Sequence, residues 1–198
     1  MKTTFTETQK FIQWWLGVIL IAFIMLLMLA CNYKSEKKKL DIDTIKSREL
    51  VAQIVEQRKA DGDTFSCIFE KSDYFFEEMP ALEYYTELLK NLKIKDSAHL
   101  DRQLKLYHSF SIDEEFNFGL KIIPDSLNNK TREEALALRA YIDGHCSYAV
   151  VSIAKPIFNE DYTYALVMDG TGFGSHGSFY RFYNGHWEDF QSFFVGIP

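Results

Sequence analysis

Hydrophobic periodicity divides the chain into parts. Residues 11–30, FIQWWLGVILIAFIMLLMLA, form an unbroken run without a charged side chain. As a helix, such a run is long enough to cross a hydrocarbon core of about 30 Å. From Leu40 the spacing becomes that of an amphipathic helix. Ile42, Ile45, Leu50, Ile54 and Val55 recur at helical intervals, Asp41 or Asp43 is placed to cap the start, and Gly62 follows the end. Residues 64–69 read as a short strand. PALEYYTELLKNL puts Pro80 at a helix start, with Leu82, Tyr85, Leu88, Leu89 and Leu92 along one face. DSAHLDRQLKLYHSF predicts a second short helix capped by Asp96 or Ser97, and residues 120–123 a further short strand. The plainest helix is NNKTREEALALRAYIDGHC. There Thr131 and Glu134 have capping-box spacing, Leu136, Ala140 and Ile142 share a face, and Gly144 stands where a C′ glycine is expected.

After Ser147 the period falls to two. Residues 148–153, 162–168, 179–183 and 187–194 read as strands rich in β-branched and aromatic side chains. Asn184-Gly185 favours a two-residue type I′ turn, which sets Tyr183 opposite His186, Phe182 opposite Trp187 and Arg181 opposite Glu188. Tyr180, Phe182 and Trp187 then share the face turned towards the helices. The expected fold is α+β, a helical N-terminal half followed by a C-terminal antiparallel meander of about four strands. Residues 1–30 read as a signal peptide or membrane anchor, 31–39 as a tether, and 40–198 as a single globular domain.

Composition narrows the classes. Of 198 residues, 47% are apolar and 25% charged, as in a packed globular protein. The net charge of −6 argues against a nucleic-acid partner, which needs a basic face to neutralise phosphates. Cys31, Cys67 and Cys146 form no C-x-x-C pair, so no structural zinc site is expected. Cys67 and Cys146 can pair in an oxidising compartment, although two buried thiols are the simpler reading.

The apolar run ends in LLMLAC, which resembles a bacterial lipobox, with Ala30 before the cysteine and Met28 in place of the usual leucine. The resemblance implies cleavage before Cys31, lipidation of Cys31, and a domain held at the cell envelope, on the outer membrane or the periplasmic face of the inner membrane. Several acyl chains, at about 0.8 kcal/mol per buried CH₂, hold a domain firmly. The alternative is an uncleaved helix over 11–30, with Trp14 and Trp15 near an interface. Lys2 and Lys10 precede the run, and Lys34, Lys37, Lys38 and Lys39 follow it. For an uncleaved anchor the positive-inside rule would put the C-terminal domain in the cytoplasm.

The tail VVSIAKPIFNEDYTYALVMDGTGFGSHGSFYRFYNGHWEDF resembles a segment of uncharacterised secreted proteins and lipoproteins of Bacteroidota-type bacteria. The matching positions are Ser152, Ile157, Phe158, Asn159, Asp161, Ala165, Leu166, Val167, Asn184, Gly185 and Trp187. His186 replaces the usual lysine, and the glycine-rich stretch lacks the cysteines that relatives often carry there. The resemblance implies an exported, often lipid-anchored domain and brings no activity with it.

Candidate chemistry centres on MDGTGFGSHGSFYRFYNGHW. GFGSHG has dinucleotide-fingerprint spacing from Gly172 to Gly177, but strand and hairpin follow it where a helix is needed. A P-loop needs a lysine, and none follows Lys155. The stretch therefore reads as a flexible loop between strands, with no cofactor expected. Asp169 and His176 can meet across it, with His186 as a third member of a ligand-binding or hydrolytic set. His99, His108 and His145 complete the histidines, and no H-E-x-x-H spacing marks a metal site. The pairs Glu77/Glu78, Glu114/Glu115 and Glu133/Glu134 read as solvated or capping residues. The expectation is an envelope lipoprotein acting as a non-enzymatic binding or interaction module. The alternative is a small envelope hydrolase or metal-dependent enzyme using His176 and Asp169.

Overall fold

The computed structural model describes residues 7–72, 81–107, 110–113, 116, 118–127, 131–171 and 174–196. In the first helix, side chains are described at 14–16, 18–21, 23, 25 and from 42 onward; in the second, from Tyr85; in the last strand, as far as Phe193. The described elements run α1 (Glu7–Ala60), β1 (Phe65–Phe69), α2 (Ala81–Asn91), α3 (Ser97–Tyr107), β2 (Lys121–Ile123), α4 (Arg132–His145), β3 (Ala149–Ile153), β4 (Ile157–Phe158), β5 (Tyr164–Thr171), β6 (Gly174–Tyr183) and β7 (His186–Gly196). A 3-10 turn at Asp125–Leu127 precedes α4.

The chain divides into two compact units, 1–45 and 46–198, and α1 contributes to both. The helix starts before the apolar run and continues through residues 31–39, where a tether is expected, and past Asp41 and Asp43, neither of which caps it. In the first unit Trp14, Trp15, Leu16, Val18, Ile19, Leu20, Ile21, Phe23 and Met25 are all exposed. The side chain of Cys31 lies outside the described residues, as do Pro80, Gly172, His108 and the acid pairs at 77/78 and 114/115.

The second unit is built on one mixed sheet of seven strands, not a meander of about four. Its order is β2-β1-β3-β5-β6-β7, with β4 also on β5. β1 is parallel to both β2 and β3, and the remaining pairs are antiparallel. The short strands expected at 64–69 and 120–123 form as β1 and β2, but the meander expectation leaves them out of the sheet because they pair with segments far away in sequence. β3 and β4 line the same edge of β5 as two pieces of one interrupted strand. Ile153 pairs with Asp169 and Ile157 with Leu166, so one extra residue is accommodated between them. Lys155 lies in this break and is buried. Its Nζ donates to Gln103 Oε1 at 3.2 Å and to the Pro156 carbonyl at 3.0 Å.

Two cores separate by strand parity. Leu50, Val51, Ile54 and Val55 form one stripe of α1 and pack with Ile68, Val151, Ile153, Ala165, Val167, Tyr180 and Trp187. Leu88 of α2, Leu92 just after it, and Leu100 and Tyr107 of α3 pack with the alternate residues Ile157, Leu166, Met168 and Phe179 on the other face. Asp96 caps α3, its Oδ1 accepting from the Ala98 N–H at 2.9 Å. Ile45, placed on the apolar stripe by its spacing, is exposed.

The β6–β7 turn matches its sequence. Asn184 and Gly185 have φ of 50° and 85°, the positive values of a type I′ turn, and the three expected pairs form. Arg181 Nη2 lies 2.9 Å from Glu188 Oε2. The glycine-rich stretch is a correction. β5 runs to Thr171 and β6 starts at Gly174, so most of the expected loop is paired strand. Gly177 has a specific reason to be glycine: an added Cβ would lie 2.2 Å from Phe193 Cζ, because the Phe193 ring covers it from the paired position on β7.

α4 departs from expectation in two ways. Its capping box forms, with Thr131 Oγ1 accepting from the Glu134 N–H, but it ends at His145 with Cys146 extended. Gly144 is therefore inside the helix and not at C′. The half-buried positions are Glu134, Leu138, Tyr141 and Ile142, while Leu136 and Ala140 are exposed, and no residue of α4 is fully buried. A disulfide joins its end to the sheet: Cys67 and Cys146, read as free thiols, are bonded, with Cα atoms 5.7 Å apart. The β1 bulge between Phe65 and Cys67 explains how. It puts Phe65 and Ile68 in the same core and turns Cys67 to the opposite face, where α4 lies.

Candidate functional site

Asp169 and His176 are directly opposed on β5 and β6. Cross-strand partners share a face, and theirs is the one covered by α1. Arg58, near the end of α1, reaches two carboxylates, Asp169 and Asp63. Its Nη1 lies 2.5 Å from Asp169 Oδ2 and its Nε 2.8 Å from Asp63 Oδ2. The guanidinium carbon sits 5.8 Å from the Phe65 ring centre. Asp169 is 14% exposed and Arg58 22%. Burial holds the Asp169 carboxyl above the ordinary carboxylate range. Arg58 and His176 oppose that rise, and Asp63 adds to it.

A cleft of about 820 Å³ opens beside this pair. Arg58, Asp63 and Thr64 form its end at the α1 exit, Ile142 of α4 one wall, and Phe69, Tyr148, Val150 and Ser152 the sheet side. The cleft exists because α4 is tied to β1 by the disulfide at its C-terminal end yet only half buries its inner face. Thr171 and Ser175, from the paired arms of the glycine-rich hairpin, also border it. Its lining is mostly apolar with hydroxyls and one ion pair, the character of a small-molecule or side-chain binding cleft.

The expected three-residue set does not assemble. His186 pairs with Tyr183 at the far end of β6, roughly 23 Å along the strand from His176. Its Nε2 lies 3.0 Å from Glu188 Oε1. His145 stacks on Tyr141 at 4.2 Å, and buried His99 uses Nε2 on the Phe158 carbonyl at 2.9 Å. Glu133 is exposed, and Glu134 serves the capping box, as its spacing predicts. Among the described residues no group of three or more His, Cys, Asp or Glu side chains is placed to hold a metal ion. None of their helices is long and apolar enough to cross a membrane.

Arg58 is the site residue that pattern reading misses. Nothing local marks it, because its partner Asp169 is 111 positions away. Comparison with protein families, curated proteins and solved structures gives no match.

Proposed function

We propose that this chain is an exported, membrane-anchored lipoprotein whose domain is a non-enzymatic binding module, with the cleft under α4 as its ligand site. The observation that carries the reading is the Cys67–Cys146 disulfide, since such bonds persist in oxidising compartments and are rare in the cytoplasm. It favours an exported domain over a cytoplasm-facing one. The exposed apolar side chains between Trp14 and Met25, followed by LLMLAC, fit a leader that ends at Cys31. Asp169 is engaged by Arg58 and His186 lies far off, which supports binding over catalysis. The cleft suits a ligand with an apolar or aromatic body and one polar end meeting the Arg58–Asp63 pair.

Mass spectrometry of the membrane fraction tests the anchor. The expected species starts at a lipidated Cys31, and its other two cysteines react with maleimide only after reduction. An intact N-terminus at Met1, or a Cys31→Ala variant processed like the wild type, removes the lipoprotein reading. Reactive thiols at Cys67 and Cys146 in unreduced protein remove the export reading.

The opposition of Asp169 and His176 favours a second reading, a small envelope hydrolase. On that reading a His176→Ala variant abolishes hydrolysis of ester, glycoside or phosphate model substrates by the purified chain. On the binding reading neither protein exceeds background.

A further inference from the structure

β7 ends the sheet, and its described partner is β6 alone. In an antiparallel ladder alternate residues turn both N–H and C=O outward. Trp187 is one of these. Gln53 of α1 accepts from its N–H at 2.9 Å and donates to its carbonyl. One side-chain amide thus stands in for one residue of a neighbouring strand. Beyond Trp187, β7 continues to Gly196. Residues 191–196, QSFFVG, carry no charge and no proline, two of the devices that keep an edge from pairing. The protected part is the start of the strand, with Glu188, Asp189 and a bulge at Phe190, whose ring is 44% exposed.

We infer that β7 is a dimerisation edge that takes the β7 of a second copy, antiparallel, about a two-fold axis at Ser192, whose N–H and C=O turn outward. The open edge from Glu188 to Gly196 is centred on Ser192 and has the length of one further β7, and the charge layout sets the direction of that strand. In that arrangement Glu188 and Asp189 of one copy lie against the uncharged end of the other, whereas a parallel pairing brings the acidic ends together. The bulge then sets Phe190 beside the second copy's Phe193. This register also ends the added strand, at Gly196, beside Glu188 and next to Trp187, where the Gln53 amide already fills the edge. The contact is isologous and closes on itself. The opposite edge, β2, is only Lys121–Ile123, too short to propagate the sheet.

The test is the molar mass of the full chain in detergent, by light scattering over tens of micromolar, with far-UV circular dichroism to check folding. The wild type is expected as a dimer. Ser192→Pro, which removes an outward N–H beyond the bulge, is expected as a monomer. Ser192→Lys keeps the backbone donor but sets two like charges at the axis, and should weaken dimerisation roughly tenfold or more. Tyr183→Lys, on the β6 side of the hairpin and away from the axis, should leave the dimer intact. A monomeric wild type overturns the inference. So does a dimer that neither Ser192 variant weakens, because its contact is then elsewhere. A monomer whose residues 189–195 gain amide protection only with added extended peptide also overturns it, in favour of a different partner.

Discussion

Gly177 shows how one residue can be misread from its neighbours. In sequence it is the last glycine of a fingerprint-like run; in the fold it is the floor under the Phe193 ring. Gly177→Ala should therefore destabilise the domain by about 1–3 kcal/mol, the usual range for overpacking. Phe193→Ala should absorb most of that cost in the double variant. Urea denaturation of the four proteins in the cycle measures it, and additive effects would contradict the contact. Asp169 is the other informative residue. Its folded pKa is raised, so the folded chain binds more protons than the unfolded one between the ordinary carboxylate pKa and the folded value. Stability contributed by this group falls as pH rises through that window. Relative to Asp169→Asn, the wild type should gain stability as pH is lowered towards 4. A stability difference flat in pH, from denaturation at several pH values, would count against a raised pKa.

At the level of elements, α4 is held differently from the other helices. α1, α2 and α3 each bury an apolar stripe, whereas α4 has a complete capping box, a half-buried inner face and one covalent bond at its end. Most helical stability in proteins comes from tertiary packing, so α4 depends on that bond more than its neighbours do. Replacing both Cys67 and Cys146 by serine should cost about 2–5 kcal/mol. The effect should be uneven: hydrogen exchange should accelerate first in α4 and at Tyr148, with β5 and β6 still protected. Uniform acceleration would mean that α4 is not a separately held element. Since Ile142 and Tyr148 line the cleft, the same variant should lose whatever the cleft binds.

For the molecule as a whole, the acid limit of stability should involve Glu160. Burial works to raise its pKa, but the N–H groups of Asp96, of Glu160 itself and of Lys95 outweigh it and the net value is lowered. The carboxylate joins the turn before β5 to the start of α3, Oε1 accepting from Lys95 and Asp96 at 3.0 Å each. A lowered folded pKa contributes stability that is full above the unfolded value near 4.5 and lost as pH falls through the folded one. Glu160→Gln should therefore weaken the domain at neutral pH and make little difference in strong acid, as thermal unfolding across pH can show. The opposite signs of Glu160 and Asp169 follow from their partners: backbone donors prevail at one, burial at the other.

Local rules settled much of this protein from its sequence. The Asn184-Gly185 turn and its three pairs, the Thr131–Glu134 capping box, the Asp96 cap and the separation of a helical half from a strand-rich half all depend on residues a few positions apart. What the tertiary structure decided depends on distance in sequence. β1 and β2 read as short strands, but their place in the sheet comes from parallel pairing across the chain. Cys67 meets Cys146 because a bulge rephases one strand. Asp169 acquires its partner from a helix 111 positions away, and Gln53 seals Trp187 across 134. The described residues of the glycine-rich run are strand because paired backbones supply their hydrogen bonds. Periodicity and turn chemistry record local preference, whereas the cleft and the open edge exist only once distant segments have packed.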